Sequence, residues 1–283
     1  MALAINLGML VAAVVGGIVF GSLALLADAG HVLSDVGAIV LGLVAAHLAG
    51  RAGESRRTFG FHRGEVIAAL VNGVGLIVIA LLIVVAAVNR LGDPPEIEGA
   101  GVLAVGLGGL AGNVWATIVL ARGERTDINL EAVLRHSAAD ALGSVAVVVS
   151  GAVVLLTGWQ EADPLASLVI AVLIGLSSVR LVREPLDVLM EAAPAGLDMD
   201  RLGATMCSVP AVESVHELHV WTVTSGFEAL AAHVVVAPDA DRDRVRRELE
   251  FLLHDRYGIE HTTLQMEERG EEGTLLQVDV QRP

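Results

Sequence analysis

Lysine is absent from the 283-residue sequence, cysteine and tyrosine occur once each, and aromatic residues make up 3%. Without lysine the chain cannot hold the Gly-x-x-x-x-Gly-Lys phosphate loop of ATP-driven machines, and its 18 basic residues are all arginine. The lone Cys207 excludes an intrachain disulfide and a multi-cysteine zinc site. Charged residues amount to 18%, and a net charge of −15 argues against nucleic acid as a partner. A His-Glu-x-x-His metalloprotease helix is missing as well. What the chain has in abundance is apolar sequence. Hydrophobic residues reach 54%, with 31 glycines, and they gather into recurrent runs of about 20 residues, the length that spans a bilayer as a helix.

Six such runs are predicted as spans, at 2–21, 22–48, 66–88, 101–120, 130–156 and 165–182. Gly16, Gly17 and Gly21 in the first, and Gly108 and Gly112 in the fourth, have small-residue spacings that allow close helix packing. Asn72 in the third is read as a helix-packing residue. The first run continues straight into the second, so no separable signal peptide is expected. Six spans put both termini on one side. The loops 50–65 and 122–135 and the end of the sixth span carry Arg51, Arg56, Arg57, Arg63, Arg122, Arg125, Arg135, Arg180 and Arg183, whereas the opposite connections carry only Arg90. The positive-inside rule therefore predicts cytoplasmic N- and C-termini for a multi-pass integral protein of the cell (inner or plasma) membrane.

From Glu191 onward the chain has 18 acidic residues against 8 arginines. This marks a boundary between a lipid-embedded domain, 1–190, and a water-soluble domain, 191–283. The soluble part is predicted as a helix at 199–208, strands at 214–223 and 228–236 joined by a Thr224-Ser225-Gly226 turn, a helix at 242–257 and a strand at 261–266. The order α-β-β-α-β points to a ferredoxin-like α/β fold. The last residues, 268–283, read as an accessory strand or a tail.

Against this apolar background a few polar side chains stand out. Asp28, His31 and Asp35 are spaced three and four apart, which puts them on one face of the second helix. His136 and Asp140 repeat the His-x-x-x-Asp pattern on the fifth. Ionisable groups inside membrane helices are costly and face cavities, partners or ion paths. Two such pairs supply two imidazoles and two carboxylates, a tetrahedral set suited to zinc, with cobalt and cadmium chemically credible. Asp28 is either a third carboxylate of the ion path or a solvated residue of an outer cavity; the path role is favoured.

The stretch Ser22-Leu-Ala-Leu-Leu-Ala-Asp-Ala-Gly-His-Val-Leu-Ser-Asp35 resembles the second-helix signature of the cation diffusion facilitator family, zinc type. His136-Ser-Ala-Ala-Asp-Ala-Leu-Gly-Ser144 resembles its fifth-helix signature. Thr58-Phe-Gly-Phe-His-Arg-Gly-Glu65, Asp163-Pro-Leu-Ala-Ser167, Val215-His-Glu-Leu-His-Val-Trp221 and Ile259-Glu-His-Thr-Thr-Leu-Gln-Met-Glu267 are similar to further parts of it. The resemblance implies a homodimeric metal/proton antiporter that exports Zn2+ or similar divalent cations. It implies a transport site at His31, Asp35, His136 and Asp140. It also implies a regulatory zinc site drawing on His216, His233, His261 and Glu267, and a charge interlock between Arg63 and Glu191 joining the membrane and soluble parts.

Metal binding needs neutral imidazole and ionised carboxylate, so protons and Zn2+ compete for the same lone pairs, and a proton gradient can then drive export through the bilayer. Two rival readings are an intramembrane metalloenzyme and a metal sensor whose spans only anchor it. The first needs an open coordination position, which four protein ligands do not leave. The second makes six spans with paired ligands superfluous.

Overall fold

The computed structural model describes residues 2–49, 58–121 and 129–268, leaving aside the side chains of 2–5, 45, 46, 48, 49, 116, 119–121 and 129–139. The chain divides into two compact units that are not continuous in sequence. One joins Met1–Ala52 with Ile67–Glu184, and the other joins Gly53–Val66 with Pro185–Pro283.

The first unit is built of the helices α1 (Ala2–Val19), α2 (Leu23–Ala49), α3 (Arg63–Leu91), α4 (Gly99–Ala121), α5 (Asn129–Thr157) and α6 (Ala162–Leu189), apart from the first turn of α3 and the last residues of α6, which belong to the second. Among the described residues four stretches are long and apolar enough to cross a membrane: Leu23–Val44, Arg63–Leu91, Asp140–Thr157 and Ala162–Leu189. Asn6–Val19 and Gly99–Trp115 are apolar but shorter. Helices α1, α2, α5 and α4 pack in a ring, each on the next. Glycine sets the closest approach within it. A Cβ on Gly99 would lie 2.6 Å from the Leu155 nitrogen, and one on Gly151 would lie 2.6 Å from the Leu103 nitrogen. The small-residue expectation for α4 is thus redirected, since a Cβ on Gly108 would meet nothing within 4 Å while one on Gly112 would strike Met9. Asn72 acts between helices as expected, accepting from Ser34 Oγ at 3.1 Å.

The connections α1–α2, α3–α4 and α5–α6 gather at one end of this unit. Gly21 turns the chain there with φ 71°, in the left-handed region that favours glycine. Arg90 Nη1 donates to the Gly21 carbonyl at 2.9 Å, Glu98 N–H to Phe20 O at 3.2 Å, and Ile97 N–H to Gln160 Oε1 at 3.1 Å.

Two helices outrun their apolar stretches. α3 begins at Arg63 rather than 66, and α6 continues to Leu189 rather than 182, through Pro185. Hydropathy marks the lipid-soluble part of a helix; hydrogen bonding and capping mark its end. At the end of α6 Glu191 N–H reaches Val188 O and Ala192 N–H reaches Asp187 O, a Schellman closure. Its left-handed position is held by Glu191, with φ 57°, where glycine is usual.

The second unit contains α7 (Met199–Met206), β1 (Val212–Thr224), β2 (Phe227–Val236), α8 (Arg242–Tyr257) and β3 (His261–Glu268), the expected α-β-β-α-β order. Asp198 and Asp241 cap the two helices, each accepting an amide hydrogen at 3.0 Å. The sheet order is β1-β2-β3, with β1 and β2 antiparallel and β2 and β3 parallel, so α8 is the crossover that a parallel pair requires. Leu202, Met206, Leu230, Val234, Val245, Leu249 and Leu253 form the core beneath it. Of residues 268–283, expected as an accessory strand or a tail, only Glu268, the end of β3, lies within the described residues.

Candidate metal centres

In the helical unit α2 packs on α5, and this contact brings the first set of polar residues together. His31 Nε2 lies 2.7 Å from Asp140 Oδ1. One ligand atom from each of His31, Asp35 and Asp140 falls within 4.8 Å of the others, a spacing that one metal ion can bridge. The α-helical i, i+4 relation puts His31 and Asp35 on the same face, one turn apart. His136 precedes Asp140 by one turn on α5, and its side chain lies outside the described residues. The described donors are thus one imidazole and two carboxylates.

Asp28 is 9% exposed. A Cβ on Gly143 of α5 would lie 3.3 Å from its Oδ1. It also lines a cavity of about 370 Å³ between α1, α2 and α4, whose other walls are apolar or glycine, among them Met9, Leu25, Val32 and Gly109.

The second set lies on the sheet of the other unit. His216 on β1 pairs directly with His233 on β2, and their ring centroids are 5.1 Å apart. Glu267 on β3 reaches both: its Oε2 is 3.1 Å from His216 Nε2, and its Oε1 is 2.7 Å from His233 Nδ1. The three have ligand atoms within 4.8 Å of one another, and their two nitrogens and one carboxylate fit a zinc-type ion. Burial works against ionisation of Glu267. Donation from Gln265 Nε2 and the two imidazoles outweigh it, and its carboxyl is held below the usual glutamate value.

Glu217 joins this cluster unannounced by the sequence, with its Oε2 3.4 Å from His233 Nε2. Strict alternation puts Glu217 on the face opposite His216. A register irregularity between His216 and His219, with Glu217 at φ 47°, turns its side chain. His261 does not join the cluster. It pairs in register with Ala229, four residues along β2 from His233, which is roughly 13 Å away at strand rise. Its ring instead packs against Phe59 and Phe227, with centroids 5.8 and 5.6 Å away.

Arg63, the first residue of α3, donates from Nη2 to Glu191 Oε1 at 3.0 Å. Two residues on, Glu65 Oε2 accepts from Thr224 Oγ1 at 3.0 Å. The left-handed conformation of Glu191 is therefore found at the residue that pairs with the entrance of α3.

Comparison with known proteins agrees with both halves of this architecture. Residues 1–190 match the family described as cation efflux transmembrane domain, and residues 194–269 match that described as cation efflux protein, cytoplasmic domain. The chain is 38% identical over 268 residues to the zinc transporter ZitB of Escherichia coli (strain K12), covering 94% of this chain and 85% of that protein. It is 36% identical over 265 residues to the cadmium, cobalt and zinc/H(+)-K(+) antiporter of Bacillus velezensis, covering 92% and 84%. Over 274 residues it is 36% identical to the metal cation efflux system protein CzcD of Cupriavidus metallidurans, covering 94% and 84%. Among solved structures, the metal-bound C-terminal domain of the CzcD transporter aligns at 35% identity with 25% of this chain and 99% of that one, with a TM-score of 0.24. The chain belongs to the cation diffusion facilitator, or cation efflux, family and is a membrane transporter of metal cations, not an enzyme.

Proposed function

We propose that this chain exports Zn2+, with Cd2+ and Co2+ as alternative cargo, in exchange for protons, through a site formed by His31, Asp35, His136 and Asp140. The observation that carries the proposal is the convergence of His31, Asp35 and Asp140 from two helices onto one ion-sized position. His136 completes a two-imidazole, two-carboxylate set, which zinc accepts without an open position for water. Relatives named as zinc or as cadmium, cobalt and zinc transporters support the choice of cargo.

The ligands bind metal only as neutral imidazole and ionised carboxylate. Zn2+ arriving from the cytoplasm therefore releases protons, and protons arriving from the other side displace Zn2+. Alternating exposure of the site couples the two flows without ATP. Asp28, one turn before His31, is a carboxylate of the ion path. All six helices α1–α6 cross the membrane, with both termini in the cytoplasm; the arginine bias of the loops supports this orientation. The transport domain is 1–190 and the cytoplasmic domain 191–283.

The chain works as a homodimer, which agrees with its match to a dimer-forming cytoplasmic domain family. His216, His233 and Glu267 hold a regulatory zinc ion, and Glu217 stands beside them as a further donor. The Arg63–Glu191 pair ties the start of α3 to the segment after α6.

Flux of Zn2+, Cd2+, Co2+ and Mn2+ into proteoliposomes tests this reading. Wild-type protein should carry the first three and discriminate against Mn2+, and Asp140→Ala should carry none. Unchanged flux in Asp140→Ala would remove the site.

A further inference from the structure

Asp163 opens α6, a helix that carries none of the proposed ligands, yet both it and Ser22 are fully buried. Its carboxylate gathers the first turn of α2. Ser22 Oγ donates to Oδ1 at 2.5 Å, Leu23 N–H to Oδ2 at 2.6 Å, and Ala24 N–H to Oδ2 at 3.3 Å. Ser22 Oγ accepts in turn from Leu25 N–H at 3.1 Å. These amides are among those an α-helix leaves without intrahelical partners. A serine side chain commonly satisfies one of them from within the same segment. Here a second cap arrives from another helix, 140 positions along the chain, and its charge faces the positive end of the α2 dipole. Asp163 is held on its own helix, because Ser167 Oγ donates to its carbonyl at 2.7 Å.

The helix capped in this way is the one that carries His31 and Asp35. His31 follows Ser22 by nine residues, roughly 13 Å along a helix axis, so rotation or sliding of the first turn is passed on to the imidazole. Apolar packing around α2 is non-directional. A carboxylate accepting from a hydroxyl and two amides is directional and charge-assisted. Stability alone is a poor reason for a buried charge, because apolar replacements are often as stable. Geometry is what the charge adds.

We propose that Asp163 is a positioning residue for metal transport: by fastening the first turn of α2 to α6, it sets the height and rotation at which His31 and Asp35 meet Asp140. The inference rests on the transport-site reading above.

Co2+ titration of the purified full-length protein tests it, because the d–d bands of Co2+ report ligand geometry. A His233→Ala background removes the sheet cluster from the signal. Within it, Asp140→Asn should abolish the band; a band that survives overturns the transport-site reading and this inference with it. Asp163→Asn is nearly isosteric but keeps only one acceptor oxygen. It should weaken Co2+ binding at least about tenfold, the scale of outer-shell effects on metal affinity. It should also shift the band in protein that remains monodisperse, while Asp163→Glu recovers part of the affinity. A merely structural role would lower the folded fraction and leave the spectrum of folded molecules unchanged. Wild-type affinity and spectrum in folded Asp163→Asn therefore overturn the proposal. Should that variant fail to fold, Ser22→Ala carries the test: a smaller shift in the same direction is expected, and an unshifted band overturns it.

Discussion

His31 on α2 and Asp140 on α5 are separated by 109 positions in sequence and by 2.7 Å between Nε2 and Oδ1. Both side chains are mostly buried, with 14% and 18% exposure. Two ionisable groups in apolar helices are tolerated when each meets a partner or an ion. The pair thus joins α2 to α5 inside the ring of α1, α2, α5 and α4.

Loss of a ligand from this place should be severe. His31→Ala and Asp35→Asn are expected to lower metal affinity by well over the 10–100-fold typical of outer-shell changes. Equilibrium Zn2+ competition against a chelating dye measures it. Near-wild-type affinity in both variants would show that the convergence of these side chains is incidental.

The sheet cluster gives a sharper contrast. His233→Ala should remove one bound Zn2+ per chain in calorimetric titration of the full-length protein, whereas His261→Ala should keep it. His261 is held among Phe59 and Phe227, about 13 Å of strand from His233. Equal loss in the two variants would contradict the geometry.

The pH dependence of this unit has a definite sign. Glu267 titrates below the ordinary glutamate value of 4.5 in the folded chain. Its contribution to stability is therefore complete above about pH 4.5 and is lost as pH falls through the lower folded value. Compared with Glu267→Gln in chelator-treated protein, the wild-type advantage in acid unfolding should shrink as pH falls below about 4.5 and vanish below the folded value. An advantage that grows toward acid would reverse the assignment.

Glu191 offers a separable test of pairing and strain. A left-handed residue with a Cβ costs roughly 1–2 kcal/mol, and an exposed ion pair returns 1 kcal/mol or less. Glu191→Gly should keep or raise the thermal midpoint while weakening Zn2+ flux, and Glu191→Val should lower the midpoint. A fall in midpoint for the glycine variant would mean that the Arg63 contact outweighs the backbone strain.

Much of this was legible in the sequence, for identifiable reasons. The helical repeat places i and i+4 on one face, so Asp35 follows His31 and Asp140 follows His136 without knowledge of the fold. Apolar runs located six helices, four of which have described stretches long and apolar enough to cross a membrane. Sheet geometry was less readable. A register irregularity turned Glu217 toward His233, which strict alternation does not foresee, and strand register carried His261 away from the ligands it was grouped with. The helix ends at Arg63 and Leu189 depend on hydrogen bonds rather than hydropathy. Asp163 reads as an ordinary first-turn acid of α6; only the fold reveals that it also caps α2.

The central claim is that His31, Asp35, His136 and Asp140 exchange Zn2+ for protons, and zinc accumulation in proteoliposomes with an acidic lumen tests it most directly. The account expects Zn2+ to enter against its own gradient, lumenal pH to rise with it, and both signals to vanish with a protonophore or with Asp140→Asn. Accumulation that ignores the pH gradient, or that persists in Asp140→Asn, would contradict it.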